Sequence, residues 1–238
     1  MAKTWISYGA ALLLVQAIVG CSRDAAAPAA RENAVEASNS AAPVTETGPL
    51  IVAFGDSLFA GYGLAQNEGL APALDRALAS AGVKAEVVNA GVSGDTSAAG
   101  LQRLAFTLDG QTRTPDLVIV GLGGNDMLRG ISPEQTRQNL DSILAELRRR
   151  NIPGVLSGMV AAPNMGPDYA AAFNEIYPDL AKKYNVPLYQ FTLDGVIGNG
   201  ELMLGDGLHP NARGVAIIAD RLAPKVARIL SERGRKRT

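Results

Sequence analysis

The chain has 238 residues, 47% hydrophobic and 19% charged, with 22 basic side chains against 23 acidic ones. That balance supports a buried core and sets aside a wholly disordered chain, and a formal net charge of −1 carries no electrostatic footprint for nucleic acid. One cysteine, Cys21, excludes a disulfide within the chain, and with His209 as the one histidine there is no credible zinc set, so neither a metal nor another cofactor is expected.

Residues 1–21 read as a targeting segment. Lys3 precedes a short, largely apolar stretch from Tyr8 to Val19, broken by Gly9 and Gln16. It is too short for a comfortable membrane span and has the length of a secretory signal's apolar region. It ends Ile18-Val19-Gly20-Cys21, which resembles the lipobox of bacterial lipoproteins, where the signal is cleaved before a cysteine that then carries lipid. Ordinary cleavage near Gly20, leaving a spare thiol, is the alternative. The resemblance implies lipidation of Cys21 and a membrane partner, and Ser22 in place of Asp implies an exported, periplasmic protein anchored in the outer membrane.

Residues 22–48 are rich in Ala, Ser, Pro, Glu and Thr, with Val35 and Val44 as the only large apolar side chains. Such a segment buries too little surface to offset its ordering entropy, so it reads as a disordered tether. A single domain is expected over 49–232, followed by a basic tail at 233–238.

Within that domain, apolar runs of strand length alternate with helical patterns. The runs are Leu50–Phe54, Ala85–Asn89, Leu117–Leu122, Gly154–Val160 and Val186–Phe191. Leu101, Leu104, Ala105 and Leu108 repeat at helical spacing, as do Leu140, Ile143, Leu144 and Leu147. Ser132-Pro133-Glu134-Gln135 supplies the second of these helices with a cap, a proline at its first position and a capping-box glutamine. The last helix is expected from about Asn211, with Val215, Ile218, Leu222 and Val226 on one face and Pro224 kinking or interrupting it. Alternation of continuous apolar strands with helices predicts an α/β fold, a parallel sheet covered on both faces. Right-handed crossovers then bring the C-terminal end of every strand to one rim.

The turns at that rim hold the unusual residues. The first strand ends in Gly55-Asp56-Ser57-Leu58, and the second is followed by Ser93-Gly94-Asp95-Thr96. The third is followed by Gly123-Gly124-Asn125-Asp126, and Asp206-Gly207-Leu208-His209-Pro210 precedes the final helix. A serine past the end of a buried strand is where open α/β sheets place their chemistry, although Gly, Asp and Ser are also ordinary turn residues. If Ser57 is a nucleophile with a histidine base in cis, the base is His209, and Asp206 three residues earlier can hold its Nδ1. A surface turn would account for that pair equally well. Acyl transfer also needs donors for the oxyanion, and the Ser57 and Gly94 amides and the Asn125 side chain are candidates. A turn needing positive φ would account for Gly94, and capping of the next helix for Asn125.

These four blocks, in this order, resemble the SGNH (GDSL) hydrolase superfamily. Leu122–Asp126 with Leu128-Arg129-Gly130, and Ile176–Lys182, are closest to the bacterial thioesterase I, lysophospholipase L1 and arylesterase group. The likeness covers about residues 50–230. It implies a three-layer α/β/α sandwich with a flavodoxin-like five-stranded parallel sheet and a two-step acyl-enzyme mechanism. Ser57 would be nucleophile, His209 base, Asp206 its orienting partner, and Ser57, Gly94 and Asn125 the oxyanion hole. It implies ester and thioester substrates: aryl esters, short to medium acyl esters, lysophospholipids and acyl-CoA in vitro. A monomer is expected. Phe59 stands where relatives usually carry a small polar residue, a difference that points to the acyl or alcohol pocket.

Other motif readings fail locally. Gly121–Asp126 lacks the last glycine of a dinucleotide fingerprint and follows the third strand, and no P-loop or Gly-x-Ser-x-Gly elbow occurs. Leu128, Ile131, Met159, Met165, Tyr169 and Phe173 are candidates for an acyl pocket, with core packing the alternative for each. A carbohydrate O-acetyl esterase and a catalytically idle, lipid-binding lipoprotein are the rival functions.

Overall fold

The computed structural model describes residues 48–237. The signal, Cys21 and nearly all of the tether lie outside the described residues. Five strands form one parallel sheet: β1 (Leu50–Gly55), β2 (Glu86–Gly91), β3 (Leu117–Gly121), β4 (Gly154–Ser157) and β5 (Leu188–Tyr189). Their spatial order is β2-β1-β3-β4-β5, the flavodoxin-like arrangement. Every residue of β1, β3 and β4 is buried, which is why these strands read as unbroken apolar runs and not as alternating ones.

The helices are α1 (Ser57–Ala60), α2 (Leu70–Ser80), α3 (Ser97–Asp109), α4 (Gly124–Leu128), α5 (Pro133–Arg149), α6 (Pro167–Asn174), α7 (Ile176–Tyr184) and α8 (Ala212–Arg237). α2 packs on α8, while α3, α5 and α7 lie side by side, so the sheet is enclosed between two helical layers. The start of α5 follows its sequence signal. Ser132 Oγ accepts from the Gln135 N–H at 3.3 Å, but the glutamine side chain meets the Ser132 hydroxyl instead of reaching back to its N–H.

Three expectations change. β4 and β5 are shorter than their apolar runs, because the ladder at that edge pairs only Leu156 with Leu188 and Ser157 with Tyr189 before its regular register is lost, the Gly158 carbonyl accepting from the Thr192 N–H at 2.9 Å. Pro224 does not interrupt α8. Proline leaves the carbonyl four residues back without its helical partner, but Pro224 and Asp220 are exposed, so water can satisfy that group while Leu222, Ala223 and Val226 stay buried. The helix also continues to Arg237, so residues 233–237 extend α8 and are not a separate tail.

Candidate active site

Ser57 opens α1, immediately beyond β1, at the point where the chain leaves for β2 on one side and β3 on the other. Ligands of open α/β sheets bind outside the strand ends at such a switch point. The adjacent strands β2, β1 and β3 end in register on Gly91, Gly55 and Gly121. A Cβ at Gly121 would lie 2.0 Å from the Phe59 ring, and one at Gly91 would lie 2.1 Å from the Ala60 nitrogen. These glycines let α1 settle on the strand ends with Phe59 sealed beneath it, 1% exposed. Phe59 is therefore core and does not shape an acyl or alcohol pocket.

Asp56 caps α1, its Oδ1 accepting from the Leu58 N–H at 3.1 Å. Burial pushes its carboxyl up to about 6, against the opposing pull of that N–H and of His209. A raised folded-state value means that Asp56 favours the fold most below its ordinary 3.8 and that this contribution fades as pH rises through about 6.

His209 reaches Ser57 from far along the chain. The loop between β5 and α8 doubles back through a bridge between Met203 and Pro210, with the Leu204 N–H donating to the His209 carbonyl at 2.7 Å. His209 Nε2 lies 2.8 Å from Ser57 Oγ, and Nδ1 lies 2.7 Å from Asp206 Oδ2. The other carboxylate oxygen of Asp206 accepts the backbone N–H groups of Leu208 and His209 at 2.9 and 3.0 Å. The His209 N–H, the imidazole and the Leu208 N–H hold the Asp206 carboxyl down at about 2. An ionised carboxylate only accepts, so Nδ1 carries the proton and Nε2 is left to accept from the serine hydroxyl. The turn is thus both an ordinary Asx-type turn and the orienting device for the imidazole.

The candidate oxyanion donors meet at the same rim. Gly94 has φ +85°, so the turn does need its glycine. The N–H groups of Ser57 and Gly94 have no hydrogen-bond partner among the described residues. Asn125 does not cap α4, whose cap is Gly123; it lies inside the helix and donates one Nδ2 hydrogen to the Asp95 carbonyl at 3.0 Å. Its second N–H remains. Arg129 Nη2 donates to the Gly94 carbonyl at 2.7 Å, holding the same turn from the other side.

Two neighbours of the site were given no role by the sequence. The Tyr62 ring stands 4.4 Å from that of His209, and its place between Gly61 and Gly63 was the available cue. Asp126 is fully buried and accepts from the Ser97 N–H and hydroxyl at 2.7 and 2.5 Å and from the Thr136 hydroxyl at 3.3 Å. It thereby joins the starts of α3, α4 and α5. Of the acyl-pocket candidates, Met159 and Phe173 are core, Ile131, Met165 and Tyr169 are half-buried, and Leu128 is 55% exposed. A cleft of about 730 Å³ opens at the opposite end of the strands, lined by Leu147, Ile152, Tyr184 and Val186, and holds none of these polar groups.

A serine at the switch point, bonded to an imidazole that a carboxylate orients, on a flavodoxin-like sheet, defines a serine hydrolase. Residues 53–217 match the GDSL-like lipase/acylhydrolase family. The chain is 41% identical over 160 residues to Esterase TesA of Pseudomonas aeruginosa, covering 67% of this chain and 79% of that one. It is 40% identical over 176 residues to Thioesterase 1/protease 1/lysophospholipase L1 of Escherichia coli K12, covering 74% and 82%. Among solved structures, AlinE4, an SGNH-hydrolase family esterase, superposes with a TM-score of 0.66 at 52% identity, covering 76% of this chain and 96% of that one. The chain belongs to the GDSL-like lipase/acylhydrolase family, and its activity is that of a GDSL esterase.

Proposed function

We propose that this esterase works by two-step acyl transfer with Ser57 as nucleophile, His209 as general base and Asp206 as the group that orients the imidazole. The Ser57–His209–Asp206 hydrogen-bond chain carries this reading. His209 Nε2 takes the Ser57 proton as Oγ attacks the carbonyl carbon of an ester or thioester. The carbonyl oxygen becomes an oxyanion facing the Ser57 and Gly94 N–H groups and the second N–H of Asn125. The tetrahedral intermediate collapses as His209 protonates the leaving alcohol or thiol. Water, deprotonated by the same imidazole, then releases the acid and frees the serine.

The substrates proposed are carboxylic esters and thioesters: aryl esters, short to medium acyl esters, lysophospholipids and, in vitro, acyl-CoA. The family membership and the names of the two curated relatives support esters, thioesters and lysophospholipids, and the likeness to an arylesterase of Vibrio mimicus, 37% identical over 180 residues, supports aryl esters. The test is a fluorophosphonate probe on the full-length protein, read by peptide mass. A single adduct on Ser57, with p-nitrophenyl butyrate hydrolysis lost in step with labelling, is the expected result. Folded protein that neither labels nor turns over ester would sink the proposal.

The second part of the proposal concerns place. Export to the periplasm and an outer-membrane lipid anchor at Cys21 are supported by Ile18-Val19-Gly20-Cys21 and the tether that follows. Cys21→Ala is expected to move the protein from the membrane fraction of expressing bacteria to the soluble periplasmic fraction; unchanged fractionation removes the anchor.

A further inference from the structure

Two of the oxyanion donors sit on separate turns, one after β1 and one after β2, and their N–H groups must converge on one atom. We infer that Arg103 is the positioning residue that holds these turns together. The inference rests on the assignment of the Ser57 and Gly94 N–H groups as oxyanion donors.

Arg103 projects from α3 back toward the rim. Its Nη2 donates to the carbonyl of Gly55, two residues before Ser57, at 2.9 Å. Its Nε donates to Asp95 Oδ2, one residue after Gly94, at 2.6 Å. The guanidinium lies 4.1 Å from the centre of the Phe54 ring, and Nη1 meets the Thr107 hydroxyl at 3.4 Å. Its side chain is 20% exposed and that of Asp95 is 11% exposed, so the pair is partly withdrawn from water. One rigid plane therefore bonds the backbone that leads into one donor and the side chain beside the other. The remaining contacts complete the arrangement. The Asp95 carbonyl accepts from Asn125 and the Gly94 carbonyl from Arg129, so the Gly94–Asp95 turn is tied to both its neighbours.

The residue type suits the task. A guanidinium presents several donors in a fixed planar fork and stacks on an aromatic face; a lysine ammonium is a compact charge whose three donors are not held in a plane, and it does not stack in the same way. Arg103 touches no reacting atom. It acts through donor alignment, which matters most when charge has developed on the carbonyl oxygen, so its loss falls on kcat and not on KM.

The experiment compares full-length Arg103→Lys, Arg103→Met and Asp95→Asn proteins with wild type on p-nitrophenyl butyrate. Rates are normalised to sites titrated to completion with a fluorophosphonate, and Ser57→Ala is run in parallel. The expected kcat per titrated site falls about tenfold for Arg103→Lys and about 100-fold for Arg103→Met, with KM within about twofold. Asp95→Asn combined with Arg103→Met is expected to lose no more than the worse single variant, because both break one link. Wild-type kcat per titrated site in Arg103→Lys overturns the inference even if Arg103→Met does not fold. So does a loss confined to KM or to the number of titratable sites, which would mark Arg103 as a residue of the fold alone. An inactive Ser57→Ala beside an unaffected Arg103→Lys rejects Arg103 and keeps the site; an active Ser57→Ala rejects the site itself.

Discussion

Ser57→Ala is expected to lower kcat for p-nitrophenyl butyrate by about 10⁴- to 10⁶-fold while leaving the fold intact. The substitution removes one oxygen, the atom 2.8 Å from His209 Nε2. Without it no acyl-enzyme forms, and any remaining catalysis has to come from direct attack by water. Alanine is tolerated at the first position of a helix, and the cap of α1 belongs to Asp56, so little stability depends on the hydroxyl. Thermal unfolding and circular dichroism are therefore expected to match wild type. Equal turnover in the two proteins would mean that another group is the nucleophile.

Asp206→Asn is expected to cost about 10³- to 10⁴-fold in kcat, a larger effect than deletion of one charge beside a half-buried imidazole would suggest. The reason is geometric. Asp206 Oδ1 accepts two backbone N–H groups, from Leu208 and His209. An asparagine keeps those bonds only by placing its carbonyl oxygen there, which turns its amide NH₂ toward His209 Nδ1. That nitrogen then has to accept, the proton moves to Nε2, and the imidazole presents a donor to Ser57 where a base is needed. Asp206→Ala removes the partner without imposing the wrong tautomer, so it is expected to retain more activity than Asp206→Asn. The ordering is read from kcat at pH 8 with sites titrated by fluorophosphonate; Asp206→Asn as active as wild type would remove Asp206 from the mechanism. The wild-type carboxyl, held down at about 2, stays ionised through the neutral range, and its contribution to stability is lost only as pH falls from its ordinary value of 3.8 through about 2.

The same geometry shows how far one-dimensional reading goes at this site. Ser57, Gly94, Asn125, Asp206 and His209 are each marked by a short motif, and each comes to the rim where the topology places strand ends. The motifs do not say how the residues meet. Asn125 reads equally as a helix cap, and only its bond to the Asp95 carbonyl shows otherwise. Phe59 reads as part of a pocket because it follows Ser57 and Leu58, but it packs beneath α1 over Gly55 and Gly121. Arg103 lies among the apolar residues of α3 with no motif around it, and its partners are 48 and 8 positions away in the chain.

The parallel α/β sandwich and the approximate places of its strands are legible in the chain alone, because strands buried on both faces must be apolar throughout and the intervening helices must carry one apolar face. The sequence also pointed to the chemistry proposed above, because nucleophile, base and orienting acid each call for a specific residue type and the chain has a single histidine to offer as the base. The rest depends on long-range packing. The ends of β4 and β5 depend on how far two chains keep a regular pairing register. The passage of α8 through Pro224 depends on which face of the helix is buried. The convergence of His209 on Ser57, 152 positions apart, depends on a loop folding over the rim. None of these is a property of local sequence; each follows from packing between segments that are distant in the chain.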